Sequence, residues 1–501
     1  MGTVGTAATG WIIFGFAVYF GTLIAIAVVG ARRMRDMADY TLGGRRLSAF
    51  TAALSSGSST ASAWTMLALP ALAFTGGLVQ IWVPLFAAVG VFLSWTLLAR
   101  RLRRYSIAAN NAVTIPEFLE ARFADATGLL RAVSGAVTIL FVVFYVSSGL
   151  VGGSKLLEQI FGLDLVTGVA LTLLAIATYT LIGGFMAVSR TDVAQALLMM
   201  GSLAVLVVTL LLETVRPFGH GAAPGFFDPF SLTDGSPITL SFVLSASGWA
   251  VGGLGAHRIL QRFMALEREE GAGQARNLAL VWLIAVYGLA IFVGIVARPA
   301  LFEAGLLSEV MDTERVYFVV AEVFFHPVFV GALLTAVIAA VMRTADSQLL
   351  LASAIATEDL PVLKRIAQGL AANARVWMGR GLLVAIGVVS AVISVWFPDS
   401  IFNLVSYAWG GMGAAFGPVI ILALYWRRFN MWGAMTSVVV GALTATLWQF
   451  TGGGPGGVWD ISPATPAFLI AMAASVAVTL ATPKPSSEVV ALYDRVNAAP
   501  R

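Results

Sequence analysis

Two stretches of the chain carry residue types that could bind a small ion or solute, and both are rich in serine and glycine. They are Leu54-Ser-Ser-Gly-Ser-Ser-Thr-Ala-Ser-Ala-Trp64 and Ser245-Ala-Ser-Gly-Trp-Ala-Val-Gly-Gly-Leu-Gly255. Glycine destabilises a helix, and serine and threonine hydroxyls compete for the backbone hydrogen bonds that hold it together. The pattern favours an interrupted helix whose freed N–H and C=O groups bind a ligand. The alternative is a close helix contact made of small residues.

The composition around these stretches indicates a membrane protein. Of the 501 residues, 59% are hydrophobic and 11% are charged, whereas a soluble protein has about 25% charged residues. Residues 47–99 contain no Asp, Glu, Lys or Arg, and this run is longer than the ~20 residues that one crossing needs. Irregular backbone at membrane depth is tolerated where it faces protein or a water-filled cavity, which agrees with a ligand site.

The apolar runs predict thirteen membrane spans. They are 10–30, 48–74, 77–99, 132–156, 165–187, 192–212, 237–257, 277–297, 323–354, 377–397, 402–426, 432–450 and 465–482. Arginine and lysine cluster in alternate loops, which predicts an N-terminus outside and a C-terminus inside the cell. The two Ser/Gly-rich stretches open the second and seventh spans, which enter the membrane from opposite sides. This is the pattern of an inverted five-plus-five repeat.

The repeat divides the chain into five predicted parts. Residues 1–47 form an extra first span with a cytoplasmic loop, and 48–214 form the first five-helix repeat. Residues 237–426 form the second, inverted repeat, 427–482 form two peripheral spans, and 483–501 form a cytoplasmic tail.

The residue inventory argues against several other functions. The chain has no cysteine, three scattered histidines and no glycine-lysine phosphate loop, so we expect no enzyme active site, metal, cofactor or ATP-driven pump. Its positive charge lies in short loops and does not indicate nucleic-acid binding. We expect a lipid bilayer around the protein and no obligate protein partner. A transporter-like sensor is a remote alternative, although we expect no signalling domain after the last span.

Several motifs resemble the sodium/solute symporter family, and most closely its bacterial sodium/proline symporter branch. They are Tyr40-Thr-Leu-Gly-Gly-Arg-Arg-Leu47, the Leu54–Trp64 stretch, Ile182-Gly-Gly-Phe-Met-Ala-Val-Ser189 with Thr191-Asp192, Ile259-Leu-Gln-Arg-Phe-Met264, Ala356-Thr-Glu-Asp-Leu360, and Leu404-Val-Ser-Tyr-Ala-Trp409 with Gly413-Ala-Ala-Phe-Gly-Pro418. The resemblance covers residues 10–480. It implies an all-α, LeuT-type fold in the bacterial cytoplasmic membrane and transport of proline, or a related small amino acid, by alternating access.

The resemblance also implies a sodium site between the first interrupted helix and the third helix of the second repeat. The backbone carbonyls of Ser58, Ala61 and Ala340 and the hydroxyl of Thr344 match its ligands, but Arg343 stands at the other hydroxyl position. A guanidinium offers only donors, so Arg343 would supply a fixed cation at this site instead of ligating Na⁺.

A second departure concerns Thr60, which stands where the proline branch has an aspartate near the ion. The two departures predict sodium-independent transport, by proton coupling, uniport or exchange. The candidates for proton coupling are Asp192, Asp346 and His257. In the alternative, Arg343 extends to the cytoplasm or pairs with Asp346, and the protein is a sodium-coupled symporter of proline or another small organic solute.

By the same resemblance, the substrate pocket lies between the two interruptions, and the first of them offers backbone N–H groups suited to a carboxylate. The candidate substrate-binding residues are Ser58, Thr60, Ser62, Trp64, Tyr145, Trp249 and Gly253. Because Gly253 stands where the proline branch has a pocket-lining tyrosine, we expect a larger or wetter pocket. For the aromatic residues, the alternative is core packing or a membrane-interface belt.

Overall fold

The computed structural model describes residues 6–31, 45–218, 223–397, 399–454 and 457–498, and these ranges are almost entirely helical. The helices are α1 (Thr6–Ala31), α2 (Ala49–Thr60), α3 (Leu69–Gly76), α4 (Trp82–Leu93), α5 (Ala99–Ala108), α6 (Ile115–Phe123), α7 (Leu129–Phe161), α8 (Leu165–Glu213), α9 (Leu240–Gly255), α10 (His257–Ala265), α11 (Ala272–Glu303), α12 (Val316–Phe324), α13 (Pro327–Asp359), α14 (Pro361–Gln368), α15 (Ala372–Trp396), α16 (Ile401–Tyr425), α17 (Met431–Phe450), α18 (Ala464–Ala481) and α19 (Ser487–Ala498).

Eleven segments of the described chain are long and apolar enough to cross a membrane, which confirms a polytopic membrane protein. The other two predicted spans, 48–74 and 237–257, are the interrupted ones, so neither forms a single long helix. The predicted total of thirteen spans, the sides of the two termini and the division into five parts stay predictions. Most of the predicted loop 31–47 lies outside the described residues.

The boundary between the fifth and sixth predicted spans differs from expectation. The sequence predicts a short loop between 187 and 192, whereas the backbone of α8 is helical over 49 residues. A helix of that length extends about 74 Å, more than twice the ~30 Å hydrocarbon thickness. Two apolar segments within it, Leu165–Ile182 and Thr191–Glu213, are each long enough for one crossing.

Two segments form the buried centre of the molecule. Every residue of 52–71 is buried, and so is every residue of 333–357 in α13. A helix that is buried on all sides is surrounded by other elements along its whole length. Here α13 packs against α1, α7, α8 and α15, which place its middle beside the end of α2.

The first helix interruption lies at the end of the predicted stretch. α2 continues through the serine-rich segment to Thr60, and Ala61 adopts extended dihedral angles of φ −90° and ψ 106°. A π-helical turn, Trp64–Ala68, then leads into α3. Within this helical serine-rich segment, the hydroxyls of Ser58 and Thr60 donate to carbonyls one turn earlier, so these polar groups have partners inside the helix.

The second interruption follows the predicted stretch instead of lying within it. α9 is helical to Gly255, and Ala256 is extended with φ −64° and ψ 109° before α10 begins. The glycines of this stretch serve close packing: a Cβ on Gly252 would lie 2.0 Å from the Trp409 indole nitrogen. The sequence pattern was therefore correct about an interruption and wrong about its position.

Helices α4 and α9 cross with their backbones in direct contact. A Cβ on Gly90 would lie 2.2 Å from the carbonyl oxygen of Ala250, and a Cβ on Gly253 would lie 2.6 Å from the carbonyl carbon of Gly90. Real Cβ atoms do not approach this closely, so the crossing depends on glycine on both helices. It fixes the position of α9 and of the interruption that follows it.

The variant Gly253→Ala should destabilise the protein by about 1–3 kcal/mol, because its methyl group overpacks the crossing and forces α4 and α9 apart. The measurement is the thermal unfolding midpoint of the purified protein in detergent. Gly288→Ala is the matched control, since a Cβ there meets no atom within 4 Å. Equal midpoints for Gly253→Ala and Gly288→Ala would contradict this account of the crossing.

Candidate functional site

At the first interruption, in the buried centre, side chains bind two backbone carbonyls that are not used within the helix. The indole N–H of Trp64 donates to the carbonyl of Thr60 at 2.9 Å. Arg343 Nη2 donates to the carbonyl of Ala61 and lies 3.6 Å from the sulfur of Met199. The Arg343 side chain is fully buried, and its Nε and Nη1 have no hydrogen-bond partner among the described residues.

The other residues of the predicted cation site contribute less. The hydroxyls of Ser58 and Thr60 are occupied by the carbonyls of α2 itself, at 3.4 and 2.9 Å. Thr344 is buried beside Arg343, and its hydroxyl has no partner in the described part of the chain. Ala340 is buried one turn earlier on α13. The structure thus brings the guanidinium and the carbonyl of Ala61 together, and the Thr344 hydroxyl is buried and unbonded in the next residue of α13.

The predicted aromatic residues meet between the two interruptions. The rings of Trp64 and Trp249 have centroids 4.5 Å apart, and Trp64 also contacts Tyr287 at 5.4 Å. On its other side, Trp249 packs against Phe402 at 5.4 Å. Aromatic pairs at these separations contribute about 0.5–1.5 kcal/mol beyond the area that they bury.

The rings of Trp64, Trp249, Tyr287 and Phe402 form an aromatic layer. A cavity of about 740 Å³, which we call the vestibule, ends at this layer. Trp249 and Phe402 are among its lining residues, together with Ser245, Asn403 and Ser406. Beyond the aromatic layer, the hydroxyl of Ser62 lies 3.3 Å from that of Tyr145. Four of the predicted substrate residues, Ser62, Trp64, Tyr145 and Trp249, are therefore close together.

Gly253 does not join them, and the prediction that it enlarges the pocket is wrong. This glycine faces α4, where its backbone contacts Gly90. The space that a larger side chain would need is filled by the neighbouring helix. Whether Gly253 lines the pocket depends on the direction in which it points from the helix axis. Sequence spacing alone does not show that direction.

Asp192 is fully buried and connects three elements. One of its carboxylate oxygens accepts a hydrogen bond from the hydroxyl of Ser55 at 2.7 Å and lies 3.4 Å from Arg262 Nη2. Arg262 also donates from Nε to Ser55 at 3.1 Å and from Nη1 to the carbonyl of Arg258 at 3.0 Å. This ion pair joins α8 and α10, and the hydroxyl of Ser55 connects both residues to α2.

Asp346 accepts a hydrogen bond from the hydroxyl of Tyr179 on α8, and it forms no ion pair with Arg343 in the described structure. The predicted pairing of these two residues, three positions apart on α13, is therefore wrong. Spacing on a helix brings two residues near one another, but the rotamer decides which neighbour each contacts.

His257 lies at the start of α10 and is fully buried. Its Nε2 is 3.1 Å from the hydroxyl of Thr138, its Nδ1 is 3.2 Å from the carbonyl of Gly255, and its ring packs edge-on against Phe416 at 4.1 Å. Both nitrogens are thus engaged by protein groups. This environment is typical of a packed core histidine, and a role in proton coupling stays a prediction.

Two buried arginines, Arg258 and Arg262, were not among the predicted site residues, because they fall in the loop between the predicted spans 237–257 and 277–297. The structure buries both on α10, with 1% and 0% of their surface exposed. A signal was present: the two arginines are one helical turn apart, and the residues between and after them are mostly apolar, as in a buried helix.

Comparison with solved structures identifies the fold. The chain is similar to a Na⁺-coupled sialic acid symporter with a TM-score of 0.79 and 18% identity, over 96% of this chain and 99% of that one. It is also similar to MHP1, a nucleobase-cation-symport-1 family transporter, with a TM-score of 0.56 and 14% identity, over 91% of this chain and 98% of that one. The LeuT-type fold expected from the sequence is confirmed.

Two relatives extend the comparison to sequence. The osmoregulated proline transporter OpuE of Bacillus subtilis is 35% identical over 95% of this chain and 96% of its own length. The sodium/proline symporter of Escherichia coli is 35% identical over 87% of both chains.

The membrane-spanning helices and these relatives define a transporter of the bacterial cytoplasmic membrane, not an enzyme. The model of the sodium:solute symporter family matches residues 40–441. The chain belongs to this family.

The buried ion pair between Asp192 and Arg262 provides a test of this geometry. Asp192→Leu or Arg262→Leu should each destabilise the protein by about 3–5 kcal/mol, because each leaves a buried charge without its partner. The double variant should be less destabilised than either single variant. The thermal midpoints of the purified variants measure this.

The exposed pair between Arg427 and Asp494 is the matched control, since its side chains are 61% and 50% exposed. Leucine at either of these positions should change stability by only about 0–1 kcal/mol. If the double variant at 192 and 262 were as destabilised as the sum of the single variants, the two residues would not act as a buried pair.

Proposed function

We propose that this protein transports proline, or a closely related small amino acid, by alternating access. The observation that carries the proposal is the enclosed group formed by Trp64, Trp249, Tyr145 and Ser62 at the end of the vestibule. An apolar wall with a few placed polar groups suits a small zwitterion with an aliphatic ring. The names of the relatives, a proline transporter and a sodium/proline symporter, support the same substrate.

Sodium is the first candidate for the coupling ion, because relatives at 33–35% identity are named sodium/proline symporters. These names give no support to the prediction of sodium-independent transport or to H⁺ as the coupling ion. The carbonyl of Ala61 and the hydroxyl of Thr344 are oxygen ligands of the type that Na⁺ prefers. In this candidate, Arg343 withdraws from Ala61 when the ion binds.

Sodium-independent transport is the second candidate, and one contact favours it. Arg343 donates to the carbonyl of Ala61, which the sequence assigns to the cation site. A fixed guanidinium there would hold α13 against the first interruption without a mobile ion. A charged residue at membrane depth costs at least about 2.5–3.5 kcal/mol, so its retention calls for a role.

Uptake of labelled proline into proteoliposomes separates the two candidates. A sodium gradient should stimulate uptake in the first candidate and should have no effect in the second. Under the second candidate, the double variant Arg343→Ser with Thr60→Asp should gain sodium stimulation, because it removes the fixed cation and adds a carboxylate. No proline uptake by the wild type under any gradient would contradict the proposed substrate.

The role of the aromatic layer can be tested separately. Trp249→Ala should weaken proline binding about 10- to 100-fold, because it removes a large apolar surface from the pocket wall. Equilibrium binding of labelled proline to the purified protein measures the effect, and the thermal midpoint reports on folding. Trp377→Ala is the control, since this indole is 67% exposed on another helix. Unchanged affinity in Trp249→Ala would contradict the assignment of the pocket.

A further inference from the structure

Arg258 is a buried arginine for which neither the sequence motifs nor the coupling candidates account. It is the second residue of α10, and 1% of its surface is exposed. Its Nη2 donates to the hydroxyl of Tyr145 at 3.0 Å. The guanidinium carbon lies 4.1 Å from the ring centroid of Tyr145 and 4.7 Å from that of Trp409.

The positive charge of Arg258 has no carboxylate partner. Among the described residues, no acidic group forms an ion pair with it, and its Nε has no hydrogen-bond partner. Arg262 differs in this respect, because it lies one turn later on the same helix and forms an ion pair with Asp192. Burial removes the hydration of this guanidinium, and its hydrogen bond and two ring contacts replace that hydration without supplying a counter-charge.

The start of α10 adds to the positive potential around Arg258. Ala256 is the N-cap residue of this helix and offers no side chain to cap the first N–H groups. The N-terminal end of a helix carries a partial positive charge, so a cation in its first turn is unfavourable. Two sources of positive potential therefore meet in a buried place, and both would be stabilised by a bound anion.

The contacts of Arg258 leave its Nε without a hydrogen-bond partner among the described residues. The rings of Tyr145 and Trp409 lie within cation–π distance of the guanidinium and stabilise it without using all of its N–H donors. The unbonded Nε lies at the edge of the planar group, where a guanidinium binds the two oxygens of a carboxylate.

Arg258 is also connected to the proposed substrate pocket. The Tyr145 hydroxyl that accepts its hydrogen bond lies 3.3 Å from the hydroxyl of Ser62. Trp409, whose ring it contacts, donates from its indole N–H to the carbonyl of Trp249 at 2.8 Å. The guanidinium therefore lies one residue behind the wall at which the vestibule ends.

We propose that Arg258 binds the carboxylate of the transported solute, so that the substrate class is a small compound with an apolar body and a carboxylate. This inference rests on the proposed function, because it assigns a ligand group within the same pocket. It differs from the sequence-based expectation that backbone N–H groups at the first interruption bind the carboxylate.

The experiment compares the binding of proline with that of prolinamide, in which a neutral amide replaces the carboxylate. The wild type, Arg258→Gln and Arg258→Lys are purified, and binding is measured by equilibrium titration in lipid nanodiscs. Arg122→Gln is the matched control, because Arg122 is also fully buried and lies 5.3 Å from a tyrosine ring, in this case that of Tyr105 on α5.

We expect the wild type and Arg122→Gln to bind proline at least about 30-fold more tightly than prolinamide, as for a charged pair that loses one partner. In Arg258→Gln, proline binding should weaken by a similar factor while prolinamide binding changes little, so that the ratio falls to a few-fold. Arg258→Lys should give an intermediate ratio, because an ammonium keeps the charge and loses the planar pair of donors.

The outcomes separate this inference from the proposed substrate. Equal binding of proline and prolinamide by the wild type overturns the inference without any variant. An Arg258→Gln protein that keeps the wild-type binding ratio also overturns it. The proposal of proline transport stands in both cases. If Arg258→Gln does not fold, the ratios of the wild type and of Arg258→Lys decide. Should the wild type bind another small carboxylate in place of proline, with an Arg258-dependent preference over its amide, the inference holds and the substrate proposal fails. Binding of no small carboxylate from an amino-acid and organic-acid panel overturns both.

Discussion

The hydrogen bonds of the backbone groups freed at the first interruption are the constraint on which the centre of the molecule depends. In the interior of a membrane protein, no bulk water replaces a lost helical hydrogen bond, so each freed carbonyl needs a donor from the protein or a ligand. Trp64 supplies that donor for Thr60, and Arg343 supplies it for Ala61. These contacts place one indole at the pocket wall and bring the middle of α13 against the end of α2.

The absence of bulk water also affects the charged groups around the two interruptions, because a buried charge needs a partner from the protein or from a ligand. Within the described centre, the guanidiniums of Arg258, Arg262 and Arg343 outnumber the carboxylates of Asp192 and Asp346. One pair, Asp192 with Arg262, is satisfied internally, and Asp346 accepts from a tyrosine. The surplus is positive and lies beside an aromatic pocket, which is the environment that an anionic group on a solute requires.

The sequence predicted features that depend on composition and failed on those that depend on direction. The run without charges and the Ser/Gly-rich stretches predicted two interrupted helices, and the structure has both within a few residues. Spacing could not show that Gly253 faces α4 or that Asp346 turns to Tyr179, because both depend on rotation about a helix axis and on the neighbouring helix. Arg258 and Arg262 were assigned to a loop because hydropathy treats every arginine as a solvent-exposed residue.

The glycine contacts of α9 have a mechanical consequence. Gly253 joins α9 to α4 with no side chain between the backbones, and Gly413 of α16 lies against Gly252 in the same way. Surfaces without side chains have nothing to repack, so one helix cannot slide along another without separating from it. We therefore expect α4, α9 and α16 to move together, because their backbones are in direct contact. The rings of Trp64 and Trp249, with centroids 4.5 Å apart and planes tilted by 33°, form a contact between the segment that follows α2 and these three helices.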